Sequence, residues 1–261
     1  MTPAPARSAD RTSALAPYIG RRPLKPRFWL CFAAQTLGRR SSSRVVRARA
    51  ASEHLAGVEG LGNLPQSGEF ILAANHFSGR AAYDTTAVAL LAASLSRPDI
   101  LDRITMVVGQ HRMLVPSRLR SVIVRRMRRL IDWVFYRWRA HVLRIPLRNS
   151  DPSPLGLRDW RQRQQPVFVF PEGRAGLAFG KIRRGAGRWL AALDMPVVPV
   201  GVWWKHEDGW TVRFGAPIVW THRLDLRDVQ LGLEMAALLP EALAFDWQLD
   251  LARWRAAHHP R

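Results

Sequence analysis

Four short runs, almost wholly apolar, mark the middle of this 261-residue chain: "EFILAAN" (69–75), "RITMVVGQ" (103–110), "PVFVF" (166–170) and "MPVVPVGVWW" (195–204). None alternates apolar with polar, so as strands they need cover on both faces. Between them lie stretches rich in Ala and Leu, "YDTTAVALLAASL" (83–95) and "GAGRWLAALD" (185–194), which read as helices. "GWTVRFGAPIVW" (209–220) reads as a strand or hairpin return. The class is α/β, with a mixed, largely parallel central sheet flanked by helices. Functional loops of such sheets lie at the carboxyl ends of strands. "NHFSG" and "PEGRAG" both fall there, each directly after a buried strand.

The rest of the chain frames that sheet. Residues 1–27 are rich in Pro, Ala, Arg and Ser and read as a disordered basic tail; 28–261 reads as a single domain. Phe28 to about Ala56 reads as an N-terminal helical segment, and "VEGLGNLPQSG" (58–68) as turns. In 114–141, Val122, Ile123, Met127, Leu130, Val134 and Trp138 recur at helical spacing amid arginines. That is either a helix lying on anionic lipid or a core helix with a charged outer face. "HVLRIPL" (141–147) reads as a strand, and 224–257 as helices broken near Pro240. The longest apolar candidate for a membrane span, "FWLCFAAQTL" (28–37), is about half the roughly 20 residues required.

The formal net charge is +20, and 37 of the 40 cationic residues are arginine. Such a chain is drawn to polyanions: nucleic acid, an anionic membrane face, or acidic carriers and cofactors. Cys31 is the single cysteine, which excludes an internal disulfide, a thiolate zinc cluster and a CxxC redox pair. The eight histidines show no metal-ligand spacing, so no metal is expected.

His76 follows an apolar strand and precedes a helix, a place that exposes a side chain on a rigid backbone. Histidine is the natural general base near neutral pH, and it needs a partner to hold its tautomer. Asp84 is the nearest acid on its C-terminal side. The plainer alternative is a loop histidine and a helix-capping aspartate. In "VFVFPEGRAG", Pro171 stops a strand, Glu172 and Arg174 offer opposite charges, and Gly173 and Gly176 permit unusual backbone angles.

"VEGLGNLPQSGEFILAANHFS", "RIPLRN", "VFVFPEGRAG" and "GKIRRGAGRWLAALDMPVVPVGV" follow one another in an order that resembles the glycerolipid acyltransferases of the lysophosphatidic-acid acyltransferase type, over roughly residues 57–220. The resemblance implies an acyltransferase fold across 28–261, working at a membrane surface. It implies His76 as catalytic base with Asp84 as its aspartate. Arg148 would face the acceptor's phosphate, Glu172 and Gly173 the acceptor, and Pro199 would be structural. Two departures stand out. The family usually places four residues between the histidine and the aspartate; here seven intervene. Were all of them helical, the pair would lie two turns, or ~12 Å, apart. If "SGRAA" loops out, Asp84 can return to His76. The family's Glu-Gly-Thr-Arg-Ser is here Glu172-Gly173-Arg174-Ala175-Gly176, which leaves the acceptor headgroup open.

The expected chemistry is transfer of a fatty acyl group from acyl-CoA or acyl-carrier protein, as co-substrate, to a hydroxyl of a lysophospholipid or glycerolipid. Arg148 and Arg174 are the candidate phosphate anchors, since a guanidinium binds phosphate bidentately. No cofactor is expected. The expected location is cytoplasmic, peripheral on the inner face of the membrane. Two rivals stand beside this reading: a non-catalytic lipid-binding relative of the same fold, and a basic nucleic-acid-binding protein. The second lacks any zinc finger, RNA-binding aromatic signature or helix-turn-helix in the sequence, and no nucleic-acid partner is expected.

Overall fold

The apolar runs do form strands, and all of them join one sheet. The computed structural model describes residues 13–20, 53–79, 82–107, 147–148, 158, 160–162 and 165–258. Among the described residues the strands are β1 (Leu55–Glu59), β2 (Ile71–Ala74), β3 (Thr105–Val107), β4 (Leu147–Arg148), β5 (Val167–Val169), β6 (Val197–Lys205) and β7 (Gly209–Phe214). They lie in the order β1-β7-β6-β2-β5-β3-β4. Pairing is parallel throughout except for the β6–β7 hairpin. The sheet is therefore mixed and largely parallel, as the apolar runs required.

β2, β5 and the first half of β6 are fully buried, which explains their lack of polar alternation. Helix α1 (Ala82–Ser94) covers β6 and β7. It is apolar nearly all round, with Ala87 to Leu90, Ala92 and Ala93 buried, as befits a helix enclosed in the core. A short helix α2 (Ile100–Arg103) leads into β3. Helices α3 (Ala186–Ala192) and α4 (Arg227–Ala236) pack on each other, and α5 (Glu241–Ala244) and α6 (Gln248–His258) follow the break at Pro240. The α3–α4 contact is close: a Cβ at Gly187 would stand 2.4 Å from the Arg227 carbonyl oxygen. Asp228 uses that proximity, accepting hydrogen bonds from the Gly185 and Gly187 amides at 2.6 and 2.7 Å. The start of α3 is thus filled by a carboxylate from α4.

Pro199 fits within β6 without breaking the ladder. Its carbonyl accepts from Gly215 N–H at 2.9 Å, so its nitrogen faces the β7 side, just past the last β6–β7 pair, Val200 with Phe214. No sheet donor is lost there. At the amino end of β2, Arg97 is buried over the Phe70 ring, bonded to both Asp99 oxygens at 2.9 Å. That clasp lies at the opposite end of β2 from the histidine loop.

One expectation needs correction. Residues 55–59, read as the end of a helical segment and the start of a turn, form the edge strand β1, parallel to β7 with Val58 opposite Val212. Leu55 and Val58 pack against the core from that edge. Within 1–27, residues 13–20 have a defined course: Ala16–Tyr18 is a 3-10 turn whose Pro17 carbonyl accepts from His206 N–H at 2.9 Å. The helical segment expected from Phe28 and the amphipathic stretch 114–141 lie outside the described residues, as does most of "HVLRIPL". No described helix is long and apolar enough to cross a membrane.

Candidate active site

Strand register explains why two distant loops meet. Ala73 of β2 lies opposite Val169 of β5. Continuing both strands in step sets His76 level with Glu172. The structure has that relation: Glu172 Oε1 accepts the His76 backbone N–H at 2.6 Å. The second loop then turns back on itself. Gly173 N–H bonds the Phe170 carbonyl at 3.0 Å, with Pro171 at the second position and Gly173 at φ 69°, a left-handed angle glycine adopts without cost. Beyond the turn the loops pair again, Phe77 bridging Gly176 in parallel. Gly176 N–H bonds the His76 carbonyl at 2.9 Å, and Ser78 N–H the Gly176 carbonyl at 2.8 Å.

Glu172 is the centre of this join. Its second oxygen, Oε2, accepts the Gly180 N–H at 2.7 Å. Gly180 is held in turn by Trp247, whose indole N–H bonds the Gly180 carbonyl at 2.9 Å while Phe179 stacks on the same indole. Burial pushes the Glu172 carboxyl above its usual range, and the His76 and Gly180 amides pull it partly back. Both oxygens of Glu172 are thus engaged by backbone amides.

His76 itself is half-buried. Its ring stacks on Phe170, with centroids 3.9 Å apart and planes 9° from parallel, and Phe168 braces Phe170 edge-on at 5.0 Å. The stack covers one face of the imidazole. The ring nitrogens lie in the ring plane, clear of the stacked face.

The residue before it has a structural task that the sequence reading did not assign. Asn75 is buried at the end of β2, and β6 runs on beside it. The Asn75 side chain continues the ladder in place of backbone: Nδ2 donates to the Val202 carbonyl at 2.9 Å and Oδ1 accepts from Val202 N–H at 2.7 Å. The main chain is thereby free to leave the sheet at His76. Asn75→Ala would orphan both Val202 groups. We expect a loss of about 2–4 kcal/mol and a melting temperature lower by roughly 5–15 °C, measured by thermal and denaturant unfolding. The one signal in the sequence is an amide residue placed directly at the end of an apolar strand.

Phe77 is bridged to the second loop, α1 begins at Ala82, and the buried Thr85 hydroxyl donates back to the Phe77 carbonyl at 2.8 Å. The seven intervening residues are not one helix, and the start of α1 is pinned beside the residue that follows His76. Asp84 is the third residue of α1. Arg148 ends β4, paired with Val107. By register it is level with Ala73, three residues short of His76, and three strands, or ~14 Å, across the sheet from β2. The side chains of Asp84 and Arg148 lie outside the described residues. Arg174 is exposed on the second loop, followed by exposed Lys181, Arg183 and Arg184. Among the described residues no three His, Cys, Asp or Glu side chains are grouped to hold a metal ion.

No protein-family model matches the chain, and no curated protein does. Among solved structures, it is similar to the crystal structure of the 1-acyl-sn-glycerophosphate acyltransferase PlsC from Thermotoga maritima. The two share 13% identity over 76% of each chain, with a TM-score of 0.47.

The geometry joins the two loops that the motifs marked. His76, Glu172 and Gly173 come together. Glu172 faces backbone amides, and Gly173 provides the turn that lets it do so. Thr85 and Trp247 join the site as supports with no motif to announce them. A buried tryptophan does carry a general signal, because its single N–H needs an acceptor.

Proposed function

We propose that this protein is an O-acyltransferase, moving a fatty acyl group from a thioester donor to the hydroxyl of a lysophospholipid or glycerolipid. The observation that carries the reading is the join between "NHFS" and "PEG", in which Glu172 fixes the His76 backbone and Phe77 pairs with Gly176. Those belong to two of the four blocks on which the resemblance to glycerolipid acyltransferases rests. Their meeting at one sheet edge makes a general base on a rigid, aromatic-backed loop.

In the proposed step, His76 takes the proton of the acceptor hydroxyl as its oxygen attacks the acyl carbonyl. A carbon–oxygen bond forms, the carbon–sulfur bond breaks, and the proton passes from His76 to the departing thiolate. Asp84 would stabilise the transient imidazolium, and backbone amides of the loops the oxyanion. The donor is acyl-CoA or acyl-carrier protein. The exposed Arg174, Lys181, Arg183 and Arg184 suit an anionic substrate or carrier, with Arg174 and Arg148 as the phosphate anchors. The work would be done peripherally, on the anionic inner face of a membrane.

The test is thiol release from each donor in the presence and absence of lysophospholipid acceptors. We expect release that depends on acceptor and matches ester formed one for one. Release no faster than in buffer, with every donor and acceptor, would leave only a binding protein of this fold.

A further inference from the structure

The N-terminal segment 13–20 touches the body of the protein at two places. At one, His206 N–H bonds the Pro17 carbonyl, and Gly20 lies against the Trp204 ring, where a Cβ would stand 2.3 Å from ring carbons. At the other, Gly20 N–H donates to the Gly79 carbonyl at 2.9 Å. Gly79 is enclosed on three sides. A Cβ there would stand 2.2 Å from the Tyr18 carbonyl oxygen, 2.4 Å from the Phe77 ring and 2.9 Å from Leu177. Only Leu15 and Tyr18 of the segment pack on the core, and Ile19 is 44% exposed. The segment buries little apolar surface, yet it makes specific contact with the loop that leads out of the histidine.

That loop, 76–79, is held from its other side by Glu172 and Gly176. It is also where the chain carries its extra residues between His76 and Asp84. We propose that residues 13–20 are a positioning strap: they clamp the loop at Gly79, between the second loop and the β6–β7 hairpin, and so set the His76 loop relative to the start of α1. The catalytic consequence rests on the acyltransferase reading; the mechanical one does not. Loss of the strap leaves the sheet and Glu172 in place but lets the loop shift, and a displacement near 1 Å at a reacting group costs on the order of 100-fold in rate.

Two variants of the full protein test this. One lacks residues 1–20. The other is Gly20→Ala, which drives a methyl into the Trp204 ring and so displaces the strap rather than the His76 loop, with Gly62→Ala as control because a Cβ there meets nothing within 4 Å. Amide hydrogen exchange reads the strap without any activity: we expect exchange at Ser78 to rise about tenfold in both variants and not in the control. Where wild type transfers acyl groups, kcat should fall about 10–100-fold with little change in donor KM, and a peptide spanning 10–22 should restore the truncated chain. Unchanged Ser78 exchange in both variants overturns the strap. Faster exchange with unchanged kcat overturns its role in catalysis. An inactive wild type with faster exchange in both variants removes the acyltransferase reading and keeps the clamp. If the truncated chain does not fold, Gly20→Ala decides alone.

Discussion

Glu172→Gln should lower kcat for acyl transfer by about 10–100-fold and destabilise the fold by about 1–3 kcal/mol. The carboxylate accepts one amide on each oxygen, from His76 and from Gly180. Glutamine keeps the size and loses one acceptor, so an NH2 group faces an N–H and one half of the clamp opens. The motif resemblance assigned Glu172 to the acceptor, and kinetics separate the two roles. A residue that binds acceptor raises acceptor KM and leaves stability alone. A residue that positions His76 lowers kcat and stability together. The pH dependence adds a sign. Burial raises the Glu172 pKa in the folded chain. Its contribution is therefore full below the ordinary carboxyl value and is lost as pH rises through the folded value. The stability gap between wild type and Glu172→Gln should narrow from acid towards neutral pH. A gap that widens over that range would contradict the burial described for this group.

The strands of the central sheet were legible because burial on both faces leaves no polar alternation. "ILAA" and "VFV" can be little else between helical stretches and turns. The loops were legible as a pair because parallel neighbours end at the same edge. What was hidden depends on partners far along the chain. β1 is a weak strand by its own residues and exists through β7, some 150 positions later. The tail segment 13–20 has no periodicity and gains its course from Trp204, His206 and Gly79. Glu172 reads as a charge in a turn until its amide partners are seen. Asn75 reads as half of an Asn-His pair, whereas its side chain serves as a piece of sheet. A continuous helix from His76 to Asp84 was one of two alternatives in the sequence. The Phe77–Gly176 bridge, with α1 beginning only at Ala82, removes it, and nothing in the spacing could have done so.

His76→Ala should reduce kcat by ~10²–10⁴-fold, the usual worth of a positioned general base. The substitution isolates the imidazole cleanly. Glu172 holds the His76 backbone N–H, and Gly176 its carbonyl; an alanine retains both bonds. The stack on Phe170 is lost from the packing. The variant should therefore melt within a few degrees of wild type while transferring almost nothing. The decisive measurement is the initial rate of acceptor-dependent thiol release by wild type and His76→Ala, at equal concentration and with matched unfolding curves. The account predicts a loss of at least ~100-fold. A folded His76→Ala protein that releases thiol at the wild-type rate would contradict it.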